Sequence, residues 1–206
     1  MLSYPHVLAV LLGAGLAAAT APAARAQSAN HESHIAIPNP AGLSKAEAVR
    51  IYRDNRDRMA DGYALSRLKI IEDYQAWQIF NVAPYVSATH GQRYVNSYAN
   101  ETAKDYGTLK DGETLPPGSV LAKDSITVTD DGRVFPGAMF IMEKLTAGTS
   151  PETADWRYVM VIPDGSLHGD TTGDRPELVT YCHECHVTVK DRDYTFYVPE
   201  DYRTYD

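Results

Sequence analysis

Ser119-Val120-Leu121-Ala122-Lys123-Asp124-Ser125-Ile126-Thr127-Val128 lies between two turn signals, Pro116-Pro117-Gly118 and Asp130-Asp131-Gly132. Its aliphatic and β-branched residues, bounded by Pro, Gly and Asp, read as a strand. Similar segments stand on either side: Tyr85-Val86-Ser87 and Arg93 to Tyr98 before it, Ala138 to Leu145 and Trp156 to Ile162 after it. Side-chain alternation places one face of such a sheet in the core or against a cofactor. Upstream, Ser44 followed by Glu47 has the spacing of a capping box. Val49, Tyr52, Arg56 and Met59 then fall at helical intervals with charge on the other faces, which predicts an amphipathic helix ending near Gly62. Trp77 and Phe80 are expected to anchor the less regular segment that follows, and Pro84 blocks helical continuation. The expected fold class is α+β: an antiparallel β-sheet with flanking helices.

The densest chemical signal is Cys182-His183-Glu184-Cys185-His186. This is Cys-x-x-Cys-His, the attachment signature of a c-type haem, and the chain has no other cysteine. Two thiols add across the two vinyl groups of one haem, and His186 supplies an axial nitrogen. The same spacing also occurs in redox dithiols and in half-sites for zinc. No thioredoxin-like strand-to-helix start precedes it, and no second cysteine pair completes a zinc site. The preferred reading is therefore one covalent haem c, with Cys182, Cys185 and His186 holding it and His186 ligating iron.

The amino terminus agrees with assembly outside the cytoplasm. Val7 to Ala19 is an apolar run, and Ala24-Arg25-Ala26 offers small residues for cleavage before Gln27. Residues 1–26 read as a secretory signal peptide despite a weak basic start; an uncleaved anchor is the alternative. Residues 27–43, with Pro38 and Pro40, read as a flexible leader in which His31 and His34 are solvent-exposed rather than weak metal ligands. Residues 44–206 are long enough for one substantial core. The formal net charge of −8 disfavours nucleic acid and anionic membrane surfaces as partners. It is compatible with a small neutral or cationic ligand and a basic electron-transfer protein.

Haem chemistry depends on the sixth coordination position: a protein ligand favours electron transfer, an open site favours small-molecule chemistry. No methionine follows the haem motif. Met139, Met142 and Met160 lie on expected strands and read as core. His90 is a conceivable ligand, but its Ser-Ala-Thr-His-Gly context favours an ordinary loop position.

Arg93-Tyr94-Val95-Asn96, then Pro117-Gly118-Ser119-Val120-Leu121-Ala122-Lys123-Asp124, then Trp156-Arg157-Tyr158, then the haem motif followed by Lys190, Asp193, Phe196 and Pro199, together resemble the cytochrome P-460 family. The resemblance runs roughly from Trp77 to Pro199. It implies a mainly antiparallel-sheet fold with helices, often in a homodimer. It also singles out Lys123, whose counterpart in characteristic members is covalently linked to the porphyrin edge; without that pattern Lys123 reads as an edge lysine facing water. Arg93 resembles a family pocket arginine able to donate hydrogen bonds to a bound nitrogen oxide. Glu143 is a proton-acceptor candidate if it faces the iron. The bland readings of Arg93 and Glu143 are a surface position or a salt bridge.

The resemblance implies a periplasmic mono-haem cytochrome. Hydroxylamine oxidation at an open iron, with electrons passed to an external acceptor, is the leading activity, carried by Lys123, Arg93 and Glu143. A nitric oxide-binding cytochrome for detoxification or sensing is the main alternative, and a simple electron carrier a third, since the related cytochromes c-prime beta share the fold without the oxidative activity. One measurement tests the cofactor reading. Mass spectrometry of the denatured mature protein should find one haem retained, and extraction of the haem by acid-acetone would exclude thioether attachment.

Overall fold

The computed structural model describes residues 39–204. The expected signal peptide, residues 27–38 of the expected leader, and His31 and His34 lie outside the described residues. Helix α1 spans Lys45–Ala64, and the Ser44–Glu47 capping box is formed in both directions. The Glu47 N–H donates to Ser44 Oγ at 3.3 Å and the Ser44 N–H to Glu47 Oε2 at 2.9 Å. Two of the amide donors left over at a helix start are thereby satisfied. The helix runs two residues past Gly62, where a Cβ would sit 2.1 Å from the Pro163 carbonyl oxygen. Only glycine permits that contact with the turn beyond the sheet.

Eight strands form one antiparallel sheet: β1 (Gln78–Ile79), β2 (Tyr85–Ser87), β3 (Arg93–Ala99), β4 (Val120–Val128), β5 (Val134–Pro136), β6 (Met139–Lys144), β7 (Trp156–Val161) and β8 (Leu167–Asp170). The main order is β1-β3-β4-β6-β7-β8, with β2 also on β3 and β5 also on β4. The five strands expected from sequence are present within a residue or two at each end. The three others, β1, β5 and β8, have two to four residues each, too short to show a period of two. Several short 3₁₀ turns, among them Glu101–Thr108, fill the connections.

The pleat sorts the sheet into two chemically different faces. Tyr94, Tyr98, Ala122, Ile126, Met139, Ile141, Val159 and Val161 pack with Ala48, Met59 and Tyr63 of α1. On the other face, Val95, Leu121, Met142, Trp156 and Tyr158 pack with Phe80, Tyr106 and Val198. Trp77 packs at the margin of the first cluster and Phe80 is buried in the second, as their anchoring role requires. Helix α2 (Thr180–His186) and the chain after it approach the second face, where Cys182 and Tyr194 join the cluster.

Asp124 is fully buried on the α1 face. It accepts hydrogen bonds from Tyr52 at 2.7 Å, Tyr74 at 3.1 Å and Asn96 Nδ2 at 3.4 Å. Burial outweighs those bonds and pushes its carboxyl up to about 6. The neutral acid is thus favoured by folding, so its stabilisation is complete below about pH 3.8 and is lost as pH rises through about 6. The rise corresponds to up to about 3 kcal/mol. In urea unfolding, Asp124→Asn should flatten the fall in stability between about pH 4 and pH 7. An unchanged pH profile would show that Asp124 is not its source.

Candidate functional site

The second face of the sheet becomes a site because four strands place their side chains in register. Lys123 on β4 pairs with Ser97 on β3 and with Phe140 on β6. Two residues along, Leu121 pairs with Met142, which pairs with Tyr158 on β7. Tyr181, Cys182, Cys185, His186 and Phe196 close over these rows. Between them lies a mainly apolar, aromatic-lined cavity.

Cys182 and Cys185 are free thiols three residues apart in α2, hence on one helical face. Burial pushes the Cys182 thiol up to about 12. The attacking cysteine of a redox dithiol is shifted the other way, so the pair is suited to holding a group rather than exchanging disulfides. Among the described residues no three or more His, Cys, Asp or Glu side chains converge as a metal cage.

His186 is buried, and its Nδ1 donates to the Tyr194 carbonyl at 2.6 Å. That bond selects the tautomer with a free lone pair on Nε2, the arrangement of a metal-ligating histidine. Burial pushes the imidazole down to about 4, so it is neutral near pH 7. His183 does not line the cavity; it stacks on Tyr194 with centroids 5.3 Å apart and meets the Tyr158 hydroxyl at 3.4 Å.

The Tyr194 carbonyl is aimed by an unusual backbone. Asp193 and Tyr194 both take positive φ, 49° and 63°, a left-handed pair that costs free energy unless its surroundings enforce it. Asp193 supplies the enforcement. Its buried carboxylate accepts from Lys144 Nζ at 2.6 Å, the Leu115 N–H at 2.9 Å and Trp156 Nε1 at 3.3 Å.

Lys123 also lines the cavity. Among the described residues it makes no ion pair and no side-chain hydrogen bond, and burial alone pushes its ammonium down to about 8. An unpaired ammonium facing an apolar space is costly unless something else occupies that space. Two free thiols, an imidazole with Nε2 available and an orphaned amine around an aromatic-lined cavity fit a covalently held porphyrin. The cofactor is a single haem c; Cys182 and Cys185 would hold it covalently and His186 would supply a nitrogen to its iron.

The cytochrome P-460 family model matches residues 71–197, well over half of the chain. The chain belongs to the cytochrome P-460 family. No curated protein matches it.

The other sequence candidates separate. Arg93 stands behind the cavity rather than in its lining: Nη1 donates to the His90 carbonyl at 3.4 Å, while Nε is buried with no hydrogen-bond partner. Gly137 makes room for it, since a Cβ there would lie 2.7 Å from Arg93 Cδ. Glu143 is not brought to the cavity. It is one residue out of phase with Phe140 and Met142, and its carboxylate accepts from Arg157 Nη1 at 2.8 Å. Arg157 also forks onto Asp170 at 3.0 and 2.6 Å. The salt-bridge reading of Glu143 therefore describes its position, and alternation is the reason.

His90, read from sequence as an ordinary loop residue, ends a short 3₁₀ turn yet lines the cavity. Of the methionines read as core, Met139 and Met160 are buried, and buried Met142 also lines the cavity. Sequence reasoning gave no role to Lys144 and quoted Asp193 only as a family residue; a lone lysine and a lone aspartate 49 positions apart carry no local signal. Asp193→Ala leaves Lys144 nearly buried and unpaired, with side chains 12% and 3% exposed in the native pair. It should cost about 3–5 kcal/mol in chemical denaturation of the holoprotein.

Proposed function

We propose that this member of the cytochrome P-460 family is a periplasmic enzyme that oxidises hydroxylamine in the cavity above His186 and passes the electrons to an external acceptor. The observation that carries the reading is Lys123: its orphaned amine lies in the same cavity as both thiols and His186. When bound, haem c supplies a redox-active iron with a coordination position for a nitrogen ligand.

The chain's own residues do the rest. Cys182 and Cys185 fix the cofactor, so it cannot leave between turnovers. His186, held by the Tyr194 carbonyl, keeps one orientation and presents its Nε2 lone pair. Lys123, partly deprotonated near pH 8 because burial lowers it, has the free amine lone pair that a bond to the porphyrin edge requires. Phe140, Tyr158, Tyr181 and Phe196 limit water around the reacting atoms and so strengthen every electrostatic interaction there. Arg93 adds positive charge behind the cavity and bonds the His90 carbonyl.

A second reading is nitric oxide binding. It is favoured by the absence of any carboxylate among the described residues lining the cavity, a composition suited to a small neutral ligand. One paired experiment separates the two. Peptide mapping of the holoprotein should recover the Lys123 segment joined to the haem peptide of Cys182 and Cys185, and Lys123→Arg should lose that link, change the absorption spectrum and lower hydroxylamine turnover about tenfold or more. Two attachments only, with no turnover, would favour nitric oxide binding. A crosslinked protein inactive with hydroxylamine and varied electron acceptors would defeat the proposed activity.

A further inference from the structure

A cavity that handles N–H or O–H bonds needs a group to take protons, and Glu143 lies on the other face of the sheet. Of the side chains lining the cavity, three have nitrogens that can lose or gain a proton: Lys123, His186 and His90. His186 is committed to iron and Lys123 to the cofactor edge under the function proposed above. His90 has no role in either.

Its placement is specific. The ring meets Phe140 edge-on with centroids 4.7 Å apart, and Phe140 is the register partner of Lys123. Nδ1 lies 2.7 Å from Ser87 Oγ and 3.4 Å from Thr89 Oγ1. Among the described residues no hydrogen bond reaches Nε2. Arg93 holds the His90 carbonyl from behind. Ser87, half-buried, lies outside the cavity lining, whereas the ring of His90 and the exposed Thr89 both contribute to it, so the path outward from Nδ1 runs through Ser87.

We propose that His90 is the proton-accepting group of the cavity: it takes a proton at Nε2 from a small N–H- or O–H-bearing ligand and releases one from Nδ1 through Ser87 towards solvent. The inference rests on the haem reading of the site. The proton count closes within the imidazole, which gains one proton on the cavity side and loses one on the solvent side, changing tautomer. Return to the starting tautomer needs only exchange with water at the mouth. Burial disfavours a second proton on the resting ring and holds its pKa well below the ordinary histidine range. A base held neutral is always ready to accept, and one that binds a proton weakly passes it on.

The probe is cyanide, which approaches a ferric haem as HCN and must give up its proton to bind. In the purified ferric holoprotein, stopped-flow absorbance should show cyanide association slowed about 100-fold in His90→Ala. Carbon monoxide, which carries no proton, should bind the ferrous variant within about threefold of wild type. His90→Gln keeps the size and polarity of the side chain and should show the same selective loss, which covers a poorly folding alanine variant. Ser87→Ala should slow cyanide less than either. Cyanide rates unchanged in both His90 variants would overturn the proposal. Faster cyanide binding, with conversion from a six-coordinate low-spin to a high-spin spectrum, would also overturn it by showing that His90 is itself the sixth ligand. Mass spectrometry before mixing reports whether haem is attached; a wild-type protein without it defeats the functional reading and the His90 proposal together, whereas attached haem with unchanged cyanide rates defeats His90 alone.

Discussion

A side chain on β4 can face α1 or the cavity, and adjacent residues cannot share a side. Everything in this molecule hangs on that period of two. It sends Leu121 and Lys123 towards the cofactor space, and Ala122, Asp124 and Ile126 towards the helix. It carries Phe140 and Met142 with the first set, through register with β4, and leaves Glu143 with Arg157 on the second. The covering elements follow the same division. α1 lays Ala48, Met59 and Tyr63 on one side, and the haem-binding segment closes the other. A one-residue slip of β4 would exchange the two populations and put a carboxylate where the cofactor edge belongs.

Two neighbouring residues show how far the environments differ. Asp124 is surrounded by hydroxyl and amide donors from Tyr52, Tyr74 and Asn96, yet burial still raises it. Lys123 has no partner of its own, and burial lowers it. Both shifts make the neutral form easier to reach. On the helix side that favours a packed polar cluster within the core. On the cavity side it favours an amine with nucleophilic character next to two thiols and an imidazole. The sheet keeps these chemistries apart by the thickness of one backbone.

Much of this was legible in the sequence because it is local. The Ser44–Glu47 box, five of the eight strands, the bracketing turns and the haem motif each declare themselves within ten residues, and Lys123 was reached because the family pattern pointed to it. What was not legible is what depends on register between distant segments. Whether Glu143 or Phe140 faces the cavity turns on pairing with β4 and β7, which no window of sequence contains. His90 was given a loop position on its Gly and Thr neighbours, which describe the turn correctly but say nothing of the wall that the turn completes. Lys144 and Asp193 meet only because β6 and the segment after the haem motif converge on Trp156.

The acceptor that orients His186 is a main-chain carbonyl, and this changes what inheritance can act upon. Replacement of the Tyr194 side chain leaves the oxygen where it is, so drift at that position does not directly alter the basicity of the axial ligand. Variation must instead reach the bond through the path of the chain, by way of Asp193 and the groups gathered on its carboxylate. The electronic character of the ligand is thereby sheltered from the residue nearest to it and exposed to residues on β6 and β7. Lineages that retune it would be expected to carry their changes in the sheet, at a distance from the haem motif itself.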